Sequence, residues 1–186
     1  MTTFEYLAVL ISIIVGLGIT HLLGGVARFI HHPDRYKFYW IHLVWVWYIF
    51  LFLIYFWWFE LWFTTFEDWT SLLYAFLIVY SILLYLLCVV VLPPDSAEGV
   101  DFKEYFWKKK NWFFGFLLVA FLVDIPDTLI KGQEDLIKGH GIPNVLVGVA
   151  LILIAILTKN PKYHGFLAIW LCIVLTLRLL GVPVFS

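Results

Sequence analysis

Six apolar stretches, each near the thickness of a bilayer, follow one another along the 186 residues and leave little chain for anything else. A helix that crosses the hydrocarbon needs about 20 mostly apolar residues, because a helix satisfies its backbone polar groups within one segment. The stretches cover roughly 4–30, 38–63, 71–92, 112–130, 143–158 and 163–182. Pro93-Pro94 ends the third, since proline cannot continue a helix. The fourth is interrupted by Asp124, Pro126 and Asp127, and the fifth is short. With 63% hydrophobic and 13% charged residues, the chain has too much apolar surface for a soluble fold of this size to hide. The expected fold is therefore all-α, a polytopic transmembrane bundle of about six spans forming one domain over 1–186, with lipid as solvent.

Lysine and arginine near the span ends set an orientation. Arg28, Arg35 and Lys37 follow the first span, Lys103, Lys108, Lys109 and Lys110 the third, and Lys159 and Lys162 the fifth. These three loops fall on one side. The other side has only Lys131 and Lys138, among Glu67, Asp68, Glu134 and Asp135. An even span count with this bias puts the basic loops in the cytoplasm and both termini on the non-cytoplasmic side. Segment 100–111 (VDFKEYFWKKKN) is too polar to span and reads as an interfacial helix or turn before the fourth span, anchored by ordinary positive-inside electrostatics. The near-repeat of Leu129-Ile130-Lys131-Gly132 at 136–139 reads as an external amphipathic linker.

Ionisable groups inside a span are costly and draw attention to themselves. Glu60, Asp124, Asp127 and Arg178 fall in the outer half. Asp124 and Asp127 are three residues apart and share a helix face. An unpaired arginine costs about 2.5–3.5 kcal/mol at mid-membrane, so Arg178 is expected to pair with Asp124, or failing that Glu60. Such a pair would fix helix register as readily as it would serve transport. His21, Arg28 and His42 fall in the inner half. Gly18, His21, Gly25 and Arg28 form one stripe of the first helix, where glycine lets another backbone approach. Ser12, Gly16, Thr20 and Gly24 form a second row of small residues at four-residue steps. Two such rows suggest a helix at the centre of the bundle or at a subunit contact.

His42 and Glu60 sit on one face of the second span at opposite ends, with Ile49, Leu53 and Phe56 between them, so that face carries no polar pathway. Bis-histidine haem ligation by His21 and His42 would need matched depths. They lie roughly 13 Å and roughly 6 Å from the inner end, a mismatch near one helical turn, so haem stays a minor alternative. A histidine hydrogen-bonded across helices is the plainer expectation. His31 and His32 have no partners at metal-ligand spacing, and Cys88 and Cys172 are isolated in apolar runs. No metal, no other cofactor and no catalytic constellation is expected. The net charge of −1 gives no basic excess for nucleic acid. Of the aromatic run in the second span, Trp40, Trp57, Trp58 and Trp62 belong to interfacial belts, while Trp45 and Trp47 exceed that expectation.

The run Ser12-Ile13-Ile14-Val15-Gly16-Leu17-Gly18-Ile19-Thr20-His21-Leu22-Leu23, with Tyr39-Trp40 and Phe56-Trp57-Trp58, resembles a family of small uncharacterised bacterial polytopic membrane proteins. The resemblance covers mainly the first two spans and implies a bacterial inner-membrane location, with no activity to carry over. Function is then ranked by class. A membrane-embedded interaction or accessory subunit, homo-oligomeric or bound to another membrane protein, comes first. An ion, proton or small-solute channel or transporter using Asp124/Arg178 and His21/Arg28 comes second, and a haem redox protein third.

Overall fold

The computed structural model describes residues 3–66, 68–94, 99–131 and 141–181. Six helices occupy most of them: α1 (Thr3–His31), α2 (Trp40–Glu60), α3 (Ser71–Val91), α4 (Phe102–Ile130), α5 (Gly141–Leu157) and α6 (Pro161–Leu179). Five are long and apolar enough to cross a membrane; α5, with 17 residues, is the exception. At 1.5 Å per residue it reaches only about 26 Å, against about 30 Å of hydrocarbon. Short 3-10 turns follow α1 (Pro33–Arg35) and α2 (Leu61–Thr65). The linker of 132–140, with its near-repeat, Glu134, Asp135 and Lys138, lies outside the described residues.

Local chemistry marks where the helices begin. Thr70 Oγ1 accepts the Leu73 N–H at 3.2 Å, and the Asn160 side chain accepts the Lys162 N–H at 3.0 Å, with Pro161 opening α6. The Asp101 carboxylate accepts the N–H groups of Lys103 and Glu104 at 2.9 and 3.2 Å. Each cap satisfies amides that have no partner in a first helical turn. The Asp101 cap also overturns one expectation. Segment 100–111 is not a separate helix or turn before the fourth span, because α4 runs unbroken from Phe102 through Pro126 to Ile130. Its 29 residues reach about 43 Å, more than the hydrocarbon needs. One face of those first turns, Phe102, Phe106 and Lys110, is buried in the bundle.

The helices pack antiparallel to their sequence neighbours, so the molecule has two distinct ends. Tyr36–Lys37 (β1) pairs in parallel with Val100–Asp101 (β2), which ties the loops after α1 and α3 together at the lysine-rich end. Lys37 and Asp101 stand 3.7 Å apart there. At the opposite, carboxylate end, α2 finishes at Glu60 and α4 at Ile130, and Phe4 of α1 packs on Trp69, 6.3 Å between ring centroids.

α2, not α1, is the central helix. It touches α1, α3, α4 and α6, and 56% of its apolar window is buried, against 28% for α1. The reason is side-chain volume: α2 fills the interior with Trp45, Ile49, Leu53 and Phe56, all nearly inaccessible. Trp45 takes Tyr48, Phe113 and Phe114 edge-on at 5.1–5.7 Å, whereas Trp47 points outward, 54% exposed. Lipid-facing and protein-facing surfaces are equally apolar, so this interlocking of shapes, more than hydrophobicity, holds membrane helices together. Gly165 shows the same need for close fit: a Cβ there would meet the Trp40 ring of α2.

α1 lies at the side, mainly against α3. Its two small-residue rows divide between inside and outside. Gly18 is buried against Cys88 and Leu53, and a Cβ at Gly25 would collide with Leu92. The second row looks away from the bundle. Ser12 and Thr20 are exposed, a Cβ on Gly16 would meet nothing within 4 Å, and one on Gly24 would meet only the guanidinium of Arg28.

Candidate functional site

The carboxylate end holds the densest cluster of charge inside the bundle. Glu60 is the last residue of α2, and Asp127 stands one turn before the end of α4. Between them lies Lys131, the residue that closes α4, whose N–H returns to the Asp127 carbonyl. Its ammonium donates to Glu60 Oε1 at 3.0 Å and to Asp127 Oδ2 at 2.6 Å, and sits 5.0 Å above the Phe63 ring. The Lys131 and Glu60 side chains are 2% and 1% exposed. Away from water, charges must be paired and hydrogen-bonded, and the aromatic face adds a further attraction.

The expected pairing is thereby corrected. Glu60 and Asp127 belong to Lys131, and among the described residues no ion pair within 4 Å joins Arg178 to a carboxylate. Lys131 is no loop residue: it is the C-cap of α4, folded inward. The sequence carried a signal for it, because Asp127 and Lys131 are four apart and face one another on a helix. Asp124, one turn earlier and half-buried, accepts a hydrogen bond from the Tyr80 hydroxyl at 3.3 Å. Tyr80, fully buried on α3, is a participant that reading by charge alone overlooked.

Two small cavities meet at Asp124. One, of about 50 Å³ between α2, α4, α5 and α6, brings together Tyr48, Tyr55, Asp124, Trp170 and Arg178. Arg178 stands beside the Tyr55 hydroxyl. The other, of about 20 Å³, is bordered by Glu60, Tyr80, Asp124, Asp127 and Lys131. These are volumes for a few waters, the smallest of which need about 10–15 Å³ on such a measure, and not for an organic solute. Asp124 and Arg178 thus share a water-sized space instead of forming a closed ion pair.

Polar groups at the lysine-rich end are arranged differently. His42 is buried, stacked on Phe102 at 5.0 Å between centroids, with Tyr105 and Phe106 edge-on. Neither of its ring nitrogens has a hydrogen-bond partner among the described residues. His21 lines a groove elsewhere, between α1, α3 and α4. Arg28 folds back along α1 over Gly24. His21 thus borders the groove while His42 is packed among aromatic rings, and both neighbour Tyr105. Among the described residues no group of three or more His, Cys, Asp or Glu side chains is placed to hold a metal ion.

Lys110 and His164 are residues at this end that charge counting misjudged or passed over. Lys110 is buried and donates to the carbonyls of Ala155, Ile156 and Thr158 at 3.1, 2.7 and 2.8 Å. It closes the C-terminal turn of α5, where carbonyls lack intrahelical partners and the helix dipole favours a cation. The spacing Phe106, Lys110, Phe113, Leu117 along the inward face of α4 was its signal. His164, fully buried among Phe106, Trp107 and Phe114, lies 3.2 Å from the Thr158 carbonyl through Nε2.

No protein-family model, no curated protein and no solved structure matches the chain.

Proposed function

We propose that this multi-pass membrane protein acts as an interaction or accessory subunit, joined through α1 to a second copy of itself or to another membrane protein. The observation that carries this reading is the outward row of Ser12, Gly16, Thr20 and Gly24. Small residues at four-residue steps let two helices come close, and here the chain's own helices do not use them. The alternation of basic loops supports a cytoplasmic lysine-rich end, and the resemblance of the first two helices supports a bacterial inner membrane. The test is native mass spectrometry of full-length protein extracted gently from membranes. A dimer, or a stable complex with a second membrane protein, is expected, and Gly16→Ile with Thr20→Leu should abolish it while the melting temperature is kept. A wild-type protein found only as a single chain would sink the reading.

One observation favours transport as a second reading: the water-sized cavities that link Arg178, Asp124 and the Lys131 cluster. Against it stands the buried layer of Trp45, Ile49, Leu53, Phe114 and Leu117 between the two ends. Proton or ion flux in reconstituted vesicles, lost in Asp124→Asn, would make transport the better account.

A further inference from the structure

The largest cavity described lies at the lysine-rich end. α1 and α4 each pack on α3 and meet one another through Phe29 and Phe102, 5.8 Å between ring centroids. The groove between them has α3 as its floor and encloses about 590 Å³, within the range of about 300–1,000 Å³ common to small-molecule sites. Its floor is apolar, formed by Val89, Val90 and Leu92. Its polar groups are Lys109 and Tyr105 of α4 and His21 of α1, and no carboxylate lines it.

Those polar groups are not equally available. The Tyr105 hydroxyl is already bound to the carbonyls of Val90 and Leu92, at 3.0 and 2.7 Å, and so closes the end of α3. Lys109 is exposed, and no ion pair or hydrogen bond holds its ammonium among the described residues. His21 Nε2 is enclosed, so that nitrogen does not open onto the groove. Trp112, 66% exposed, stands on the same wall, a residue suited to headgroup depth. An exposed cation beside an apolar floor, with no carboxylate to compete for it, matches an amphiphile with an anionic head.

We propose that this groove binds one anionic phospholipid, with its phosphate at Lys109 and its upper acyl chains along Val89, Val90 and Leu92. This differs from ordinary positive-inside anchoring, which acts through all the basic residues at once. It is also independent of the subunit contact proposed for the other side of α1.

The experiment is lipid retention by the full-length protein, taken from vesicles of equal phosphatidylglycerol and phosphatidylcholine and read by native mass spectrometry. One phosphatidylglycerol should be retained over phosphatidylcholine by about fivefold, the factor expected of one lysine near an anionic head. Lys109→Gln should remove that preference, with the melting temperature in lipid-free detergent unchanged. Lys108→Gln, an exposed lysine outside the groove, should leave it intact. Glycerol 3-phosphate, a head without chains, should not displace the lipid. Equal retention of the two lipids would overturn the proposal. So would an effect of Lys108→Gln as large as that of Lys109→Gln, which would mean diffuse electrostatics, or displacement by glycerol 3-phosphate, which would mean a soluble anion.

Discussion

At the carboxylate end Lys131 is held by two side chains, Glu60 and Asp127, whereas at the lysine-rich end Lys110 is held by three backbone carbonyls. Both ammonium groups are buried. The first cross-links α2 to α4 through opposite charges; the second fastens the last turn of α5 to α4 through partial charges that any sequence would present there. The carboxylate end is therefore sensitive to which side chains are present. The lysine-rich end is sensitive to whether a donor can reach the carbonyls at all. Neighbouring groups follow suit: Asp124 and Tyr80 bind side chain to side chain, while Tyr105, His164 and Asp101 all meet backbone.

The largest effect should come from Lys131→Met, which leaves Glu60 and Asp127 buried without their cation. Losing one partner of a buried pair costs about 3–5 kcal/mol, read as a lower unfolding midpoint in detergent. Combining Lys131→Met with Glu60→Gln and Asp127→Asn should restore most of the loss. Without that recovery, charge complementarity would not be what holds this end. Lys110→Met should cost roughly 1.5–3 kcal/mol, the scale for charge-assisted hydrogen bonds, and hydrogen exchange should quicken first at the end of α5. Exchange rising evenly over the bundle would erase the distinction between the two ends. Tyr105→Phe removes a hydroxyl shared by two carbonyls and should cost about 1 kcal/mol.

The smallest effect concerns Asp101, at the surface. The N–H of Glu104, with that of Lys103 and the Lys37 ammonium, holds its carboxyl below the usual carboxylate range. A group whose pKa is lowered by folding stabilises the fold fully above its unfolded pKa, and that contribution is lost as pH falls through the folded value. Melting temperature should therefore decline on acidification below the ordinary carboxylate range, and Asp101→Asn, which still caps but does not titrate, should lack that component. An identical acid profile in the variant would show that the cap acts without its charge.

Much of the fold was legible because the bilayer imposes a length and a composition on each span. Five helices meet both demands; α5 was already short by sequence, but the stretch read as weakest, interrupted by Asp124, Pro126 and Asp127, is the long helix α4. The cap at Asp101 was equally local, yet α4 was misjudged at its start. Three lysines within 108–110 look like a solvated face, and only the packed structure shows that one of them turns inward. The charge cluster failed in the same way. Glu60, Asp124, Asp127 and Arg178 were all visible, but pairing was assigned by membrane depth, which ranks candidates without fixing geometry. Lys131 was set aside as a loop residue, although four-residue spacing links it to Asp127.

Sequence alone determined that this chain carries helices long and apolar enough to cross a membrane, and where most of the breaks between them fall. These follow from backbone hydrogen bonding and bilayer thickness, which act on each segment separately. Tertiary structure decided that α2 is the centre, that Lys131 pairs with Glu60 and Asp127 while Arg178 only shares a cavity with Asp124, and that one small-residue row of α1 is left facing outward. Those outcomes depend on how helices of different shape rotate against one another. In a lipid solvent, hydrophobicity does not choose the inward face, and packing volume and paired charge do.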